Sequence, residues 1–166
     1  MGPQIKKILY STDRSKNSSY AFLYAIEMAK RHDAKIVVLH VMERVPTYAA
    51  ALADLGDQSQ EEINNEVIEA MKTHLAEFCK KADSQAGCSC SVLVDKILVT
   101  VGHPPEEILN VVDEEGCDLI VMGTHSKGFL THTFLGDVSA AVLHRSQKPV
   151  LAIPLPKKFV FDWDEI

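Results

Sequence analysis

The chain has 166 residues, a length that favours one domain and can bury a core without covalent staples. Its apolar fraction of 46% and charged fraction of 24% are those of an ordinary globular protein. The net charge of −6 disfavours non-specific binding to nucleic acid or to an anionic bilayer, because both need clustered cations. The first residues, Met1-Gly2-Pro3-Gln4-Ile5-Lys6, hold no apolar leader, and Lys6 breaks the myristoylation pattern. No apolar run approaches the roughly 20 residues that span a membrane. These features predict a cytoplasmic protein with neither nucleic acid nor membrane as partner.

Ile5–Ser11 reads as a short strand, followed by a turn over 12–17. Ser18 offers an N-cap for a helix to about Arg31, with Ala21, Phe22, Ala25 and Met28 on one side. Lys35–Met42 is dense in β-branched residues and reads as a strand buried on both faces. Residues 43–57 are irregular and include Pro46 and Gly56. A long helix is predicted from Gln60 to Ala82, where Ile63, Val67, Met71, Leu75, Phe78 and Ala82 form one apolar stripe, with Gly87 as a stop. A third strand is predicted over Ser91–Val101. Gly102-His103-Pro104-Pro105-Glu106-Glu107 then opens a helix, with Pro and acids in the first turn and Gly116 just beyond its end. Asp118–Met122 is a fourth strand, a last helix runs from near Gly136 to about Arg145, and Pro149–Ile153 is a fifth strand. Strands alternating with helices predict a doubly wound α/β fold: a five-stranded parallel sheet with helices on both faces. The domain is expected over 1–156 and a tail over 157–166, where Phe159, Phe161 and Trp163 alternate with acids. In such sheets a ligand sits beyond the carboxyl ends of the strands, where their order reverses.

Four cysteines, Cys79, Cys88, Cys90 and Cys117, read as incidental reduced thiols. Cys88-Ser89-Cys90 lacks metal or redox spacing, and no metal site is predicted. The informative stretch is VMGTHSKGFLTHTFLGDVSAAVLHRSQKPVLAIP, residues 121–154. It joins a buried strand to a helix through a Gly-containing loop, whose N–H groups suit an anion. Its pattern resembles the C-terminal signature of the universal stress protein family. That signature is a strand ending Met-Gly-Thr-His, then G-x2-G-x9-G-Ser/Thr, a helix and a Pro-Val-Leu strand. Asp13 after the first strand, Leu39-His40-Val41, and the segment from Gly102 to Leu109 extend the likeness over nearly the whole chain.

The resemblance implies that Asp13 and Val41 contact adenine and ribose. It implies that Gly123, Ser126, Gly136 and Asp137 hold ribose and phosphates, with Met122 and Val138 beside them. Two positions depart from the pattern: the second motif glycine is Ser126, and the motif hydroxyl is Asp137. Asp137 would occupy the helix start that a phosphate also seeks, and Lys127 or His132 could offset part of the repulsion. The leading expectation is therefore a stress-response regulatory protein with a degenerate nucleotide pocket, acting through protein contacts. The alternative is a nucleotide-dependent switch binding ATP or AMP, with Mg²⁺. No catalytic residue is predicted. A receiver domain is excluded because the third strand ends Leu98-Val99-Thr100-Val101-Gly102, without a phosphoacceptor carboxylate. His103, His125 and His132 fall at the ligand end, whereas His40 reads as structural. The resemblance also implies a homodimer, and Pro149, Pro154 and Pro156 suit a last strand at the sheet edge, open to pairing with a second copy.

Overall fold

A computed structural model describes residues 2–44, 60–87, 89–125 and 135–157. Cys88, Ser126, Lys127, His132, most of the 43–57 segment and the tail beyond Lys157 lie outside the described residues. The elements are β1 (Lys7–Ser11), α1 (Lys16–His32), β2 (Lys35–Met42), α2 (Gln60–Ala86), α3 (Cys90–Leu93), β3 (Val94–Val101), α4 (Pro104–Glu115), β4 (Leu119–Gly123), α5 (Asp137–Arg145) and β5 (Val150–Ile153).

All four strand pairings are parallel, and the sheet order is β3-β2-β1-β4-β5. Strand β1 is central, so Ser11 lies opposite both Leu39 and Met122. Successive residues of a strand point to opposite faces. Ile8 and Tyr10, Ile36 and Val38, and Leu119 and Val121 accordingly meet Phe22, Ala25, Leu75 and Phe78 of α1 and α2. Leu9, Val37, Leu39, Ile120 and Met122 meet Ile108, Val111 and Val112 of α4 and Val142 of α5. Tyr10, Phe22 and Phe78 form a run of tilted rings with centroids 4.7 and 5.2 Å apart. Burial of this kind is why the strands read as unbroken apolar runs.

Three predicted boundaries move by three residues or more. The N-cap of α1 is Ser15, not Ser18: its side chain accepts the Ser18 N–H at 3.2 Å. The cause lies upstream. The Asp13 carboxylate accepts the Ser15 N–H at 2.9 Å, the Thr12 hydroxyl accepts the Arg14 N–H at 3.0 Å, and Arg14 takes φ 66°. These turns commit the chain before Ser15. Helix α2 continues four residues past Ala82 before Gly87 ends it in a left-handed conformation. Strand β3 starts at Val94, because Cys90–Leu93 forms a helical turn. The Asp83 carboxylate holds that turn to α2 by accepting both the Ser91 N–H (2.8 Å) and the Ser91 hydroxyl (2.7 Å). The predicted end of α4 at Gly116 and the Pro-rich start stand as read. Cys79, Cys90 and Cys117 are buried thiols. Burial pushes the Cys79 thiol up to about 12 and that of Cys117 to about 11, which leaves both unreactive near neutrality.

Ser15→Ala removes the side-chain acceptor at the head of α1. It is expected to lower unfolding free energy by about 1 kcal/mol in urea denaturation, with an unchanged m-value; a neutral effect would contradict the capping assignment.

Candidate functional site

A cleft of about 820 Å³ opens beyond the carboxyl ends of β1, β2 and β4. The turn after β1 forms one wall. Thr12 is buried, with its N–H donated to the Leu39 carbonyl at 2.9 Å and its hydroxyl 3.0 Å from that of Ser18. Its carbonyl accepts a hydrogen bond from His40 Nδ1 at 2.8 Å. A carbonyl only accepts, so Nδ1 carries the proton and the neutral ring presents Nε2 as an acceptor. Burial of the ring lowers the His40 pKa; the Thr12 hydrogen bond opposes that shift, and the nearby Arg14 cation adds to it. His40 is thus structural, as its place on a strand suggests, yet it also lines the cleft.

The opposite wall is the end of β4 and the start of α5. Gly136 donates its N–H to the Thr124 carbonyl at 2.7 Å, and Ser139 Oγ donates to the Gly123 carbonyl at 2.8 Å. Both glycines are demanded by close approach. A Cβ on Gly136 would fall 2.9 Å from the Thr124 carbonyl oxygen, and one on Gly123 would fall 2.8 Å from Asn17 Cγ. The two ends of the Gly123–Gly136 connection are therefore stapled together, whatever course residues 126–134 take. Gly136 is also the N-cap of α5, and Asp137 is its exposed first residue.

Asp13, Val41, Met122, Gly123, Gly136, Asp137 and Val138 all line this one cleft; Ser126 lies outside the described residues. His103 and His125 line it as well. Among the described lining residues, Asp13, Glu43 and Asp137 are acidic and none is Lys or Arg. No group of three His, Cys, Asp or Glu among the described residues is placed to hold a metal. Asn17, Ser139 and Glu43 were not singled out by sequence. Polar residues in a helical first turn look like ordinary caps, and only the fold brings Asn17 against β4 and β5.

A model of the Universal stress protein family matches residues 4–154. The chain belongs to the universal stress protein family. Universal stress protein MJ0577 of Methanocaldococcus jannaschii is 30% identical over 163 residues, covering 92% of this chain and 97% of that protein. The solved structure of MJ0577 superposes with a TM-score of 0.71 at 28% identity, covering 94% of this chain and 100% of that one. A universal stress protein solved in complex with cAMP gives a TM-score of 0.59 at 23% identity, covering 91% and 98% of the two chains. One from Archaeoglobus fulgidus in complex with dAMP gives 0.55 at 19%, covering 90% and 97%. Among the described residues of this chain, no helix is long and apolar enough to cross a membrane.

Because folding favours neutral His40, the unfolded chain binds its proton more readily. The stability this provides is complete above the ordinary histidine value of 6.5 and is lost as pH falls through and below it. Denaturation midpoints of the wild type are expected to drop between about pH 7 and pH 5 by more than those of His40→Gln, whose amide can still donate to Thr12. Parallel profiles for the two proteins would contradict this.

Proposed function

We propose that this universal stress protein is a regulatory protein whose cleft takes adenosine or a monophosphate of the AMP class in preference to a triphosphate. One observation carries the reading: the described wall of the cleft holds three acids and no Lys or Arg. The relatives solved with cAMP and dAMP support a monophosphate-class ligand. A well-formed cleft, with both glycines required by sterics, argues that the site is kept rather than decayed. In this reading Asp13 and Val41, which line the cleft, take the nucleoside, and Gly123, Gly136, Asp137 and Val138 take the phosphate side, with Met122 beside them. Ser126 completes that set in the sequence.

The charge argument sets the preference. Two unit charges about 5 Å apart repel by roughly 1–3 kcal/mol at effective dielectrics of 80 to 20. Each further phosphate charge adds to that, and Asp137 offers no hydroxyl donor in return. A divalent cation arriving with the nucleotide would relieve part of the repulsion, and the cleft carboxylates Asp13 and Asp137 are the groups to face it. Without such relief the site holds the nucleoside end and tolerates little anionic charge. The output is then a change in protein contacts, not turnover.

The partner that fits the sheet edge is a second copy of the chain, in the cytoplasm. β5 is the terminal strand on its side of the sheet. The Pro149 and Ile153 carbonyls accept hydrogen bonds from β4, so the backbone groups of Val150 and Ala152 turn outward by the two-residue alternation. Leu143 on the adjoining α5 is 50% exposed. An open edge with apolar surface beside it invites pairing across a twofold axis.

Calorimetric titration tests the ligand preference. AMP and adenosine are expected to bind more tightly than ATP with Mg²⁺, and Asp137→Ser to raise ATP affinity by about one to two decades. Wild-type binding of ATP at or below about 10 μM with no response to Asp137→Ser would defeat the reading. Sedimentation tests the edge. Ala152→Pro removes an outward N–H without touching the ladder to β4, and is expected to convert a dimer into an 18.4 kDa monomer with an intact fold.

A further inference from the structure

His40 lies near the end of β2, partly buried and lining the cleft. Its Nδ1–H is committed to the Thr12 carbonyl at 2.8 Å, so Nε2 carries the free lone pair of the neutral ring. Thr12 is tied back to the same strand, its N–H donating to the Leu39 carbonyl at 2.9 Å, so ring and turn hold each other in place. Nε2 makes no hydrogen bond among the described residues. It keeps contact with solvent, unlike His125 Nε2, which the fold encloses without a partner. The ring thus offers the cleft one open acceptor, fixed by its other nitrogen.

An acceptor selects its ligand atom by chemistry. A phosphate oxygen is itself an acceptor and gains nothing from a neutral imidazole. The donors of an adenosine-class ligand are the ribose hydroxyls and the amine on the base. Asp13 follows Thr12 on the same wall, and its carboxylate is the stronger acceptor for a hydroxyl. The amine is the donor that remains for His40. The groups that act on the ring keep it neutral. Burial lowers its pKa and the Arg14 cation adds to that, against the Thr12 hydrogen bond and the Asp13 carboxylate, and the net direction is down. The other titratable groups around the cleft are Glu43 beyond the same strand, His103 ahead of α4, His125 after β4 and Asp137 on α5.

We propose that His40 Nε2 accepts the exocyclic amine of the bound base, and so makes the cleft select an aminopurine over a purine that carries a carbonyl or a hydrogen in its place. The inference rests on the adenosine-monophosphate reading of the cleft. It deepens that reading by assigning the choice of base to one side chain and by making the choice depend on pH. A protonated imidazole donates from both nitrogens, so the acceptor is lost and the amine is repelled. A carbonyl in the same place is instead welcomed as an acceptor. The preference for the amine therefore fails as pH falls through the His40 pKa, which lies below the ordinary 6.5.

Three nucleosides test the choice by calorimetric titration: adenosine, purine riboside, which lacks the amine, and inosine, which has a carbonyl in its place. At about pH 7.5 the wild type is expected to bind adenosine about tenfold more tightly than either of the others, the effect of one hydrogen bond. Between about pH 7.5 and pH 5 the advantage of adenosine over inosine should shrink by at least about threefold. In His40→Gln, whose amide can donate to Thr12 but does not titrate, the ratio should not vary with pH. His40→Asn serves if the glutamine variant does not fold, and circular dichroism checks each protein at each pH. Equal wild-type affinity for adenosine and purine riboside near neutrality overturns the inference while leaving the proposed ligand class intact. Acid that weakens all three nucleosides in parallel also overturns it, since a ribose contact or a merely structural histidine would do that. A pH-dependent ratio that survives in His40→Gln belongs to His103 or His125 and overturns it too. A wild-type protein that binds none of the three removes the proposed function and this inference together.

Discussion

Strand β1 is hydrogen-bonded on both sides, to β2 and to β4, but the chain leaves β1 and β4 toward opposite faces of the sheet. Helix α1 follows β1 onto one face, and α5 follows β4 onto the other. Two neighbouring strands whose continuations diverge cannot cover the gap between their own ends, and a crevice results. The residues that follow β1 and those that follow β4 face one another across this crevice, and the end of β2 and the residues after β3 add to its lining. The sheet order β3-β2-β1-β4-β5 also separates the chain from receiver domains, whose order reverses at a different strand.

A crevice has a cost in backbone polarity. Where the ladder stops, N–H and C=O groups near the core need other partners. This chain supplies them with short side chains. Among the described residues, the buried polar ones are Thr12, Ser15, Asn17, Ser18, Ser19, Thr124 and Ser139, and all seven sit at this end of the sheet. Ser18 and Ser19 both return their hydroxyls to the Ser15 carbonyl, at 2.9 and 3.1 Å. Ser139 does the same for Gly123, and Asn17 for Ile153. The polar groups of the site are thus fixed before any ligand arrives, which reduces the ordering that binding must do.

The sheet and its layers were legible because a strand buried on both faces is an unbroken apolar run, as in Lys35–Met42, and because Pro and Gly punctuate α4. Local chemistry misled where two serines competed. Ser15 and Ser18 have equal capping ability, and the decision came from Asp13 and Thr12, which tighten the preceding turn. Ser91–Leu93 reads as the start of a strand by composition, but a carboxylate eight residues upstream of Ser91 holds it in a helical turn. The site was legible mainly as a resemblance: Asp13, Val41, Gly123 and Gly136 were placed by the family pattern, not by periodicity. Asn17 had no signal of its own, since its partners lie 108 and 136 residues away.

Asp137 shows how one residue serves two states that compete. Asp137 is an acid in the first turn of α5, at the positive end of the helix, a favourable placement of about 0.3–1 kcal/mol. Gly136, the N-cap, has no side chain that could accept from the first helical N–H groups. A phosphate would satisfy the same groups more strongly, but only against the charge already in place. Under the proposed function, stability of the empty protein and affinity for an anion are therefore set in opposition at Asp137. Because Asp137 is exposed, water and salt screen both effects, and the discrimination is graded with ligand charge and ionic strength instead of absolute.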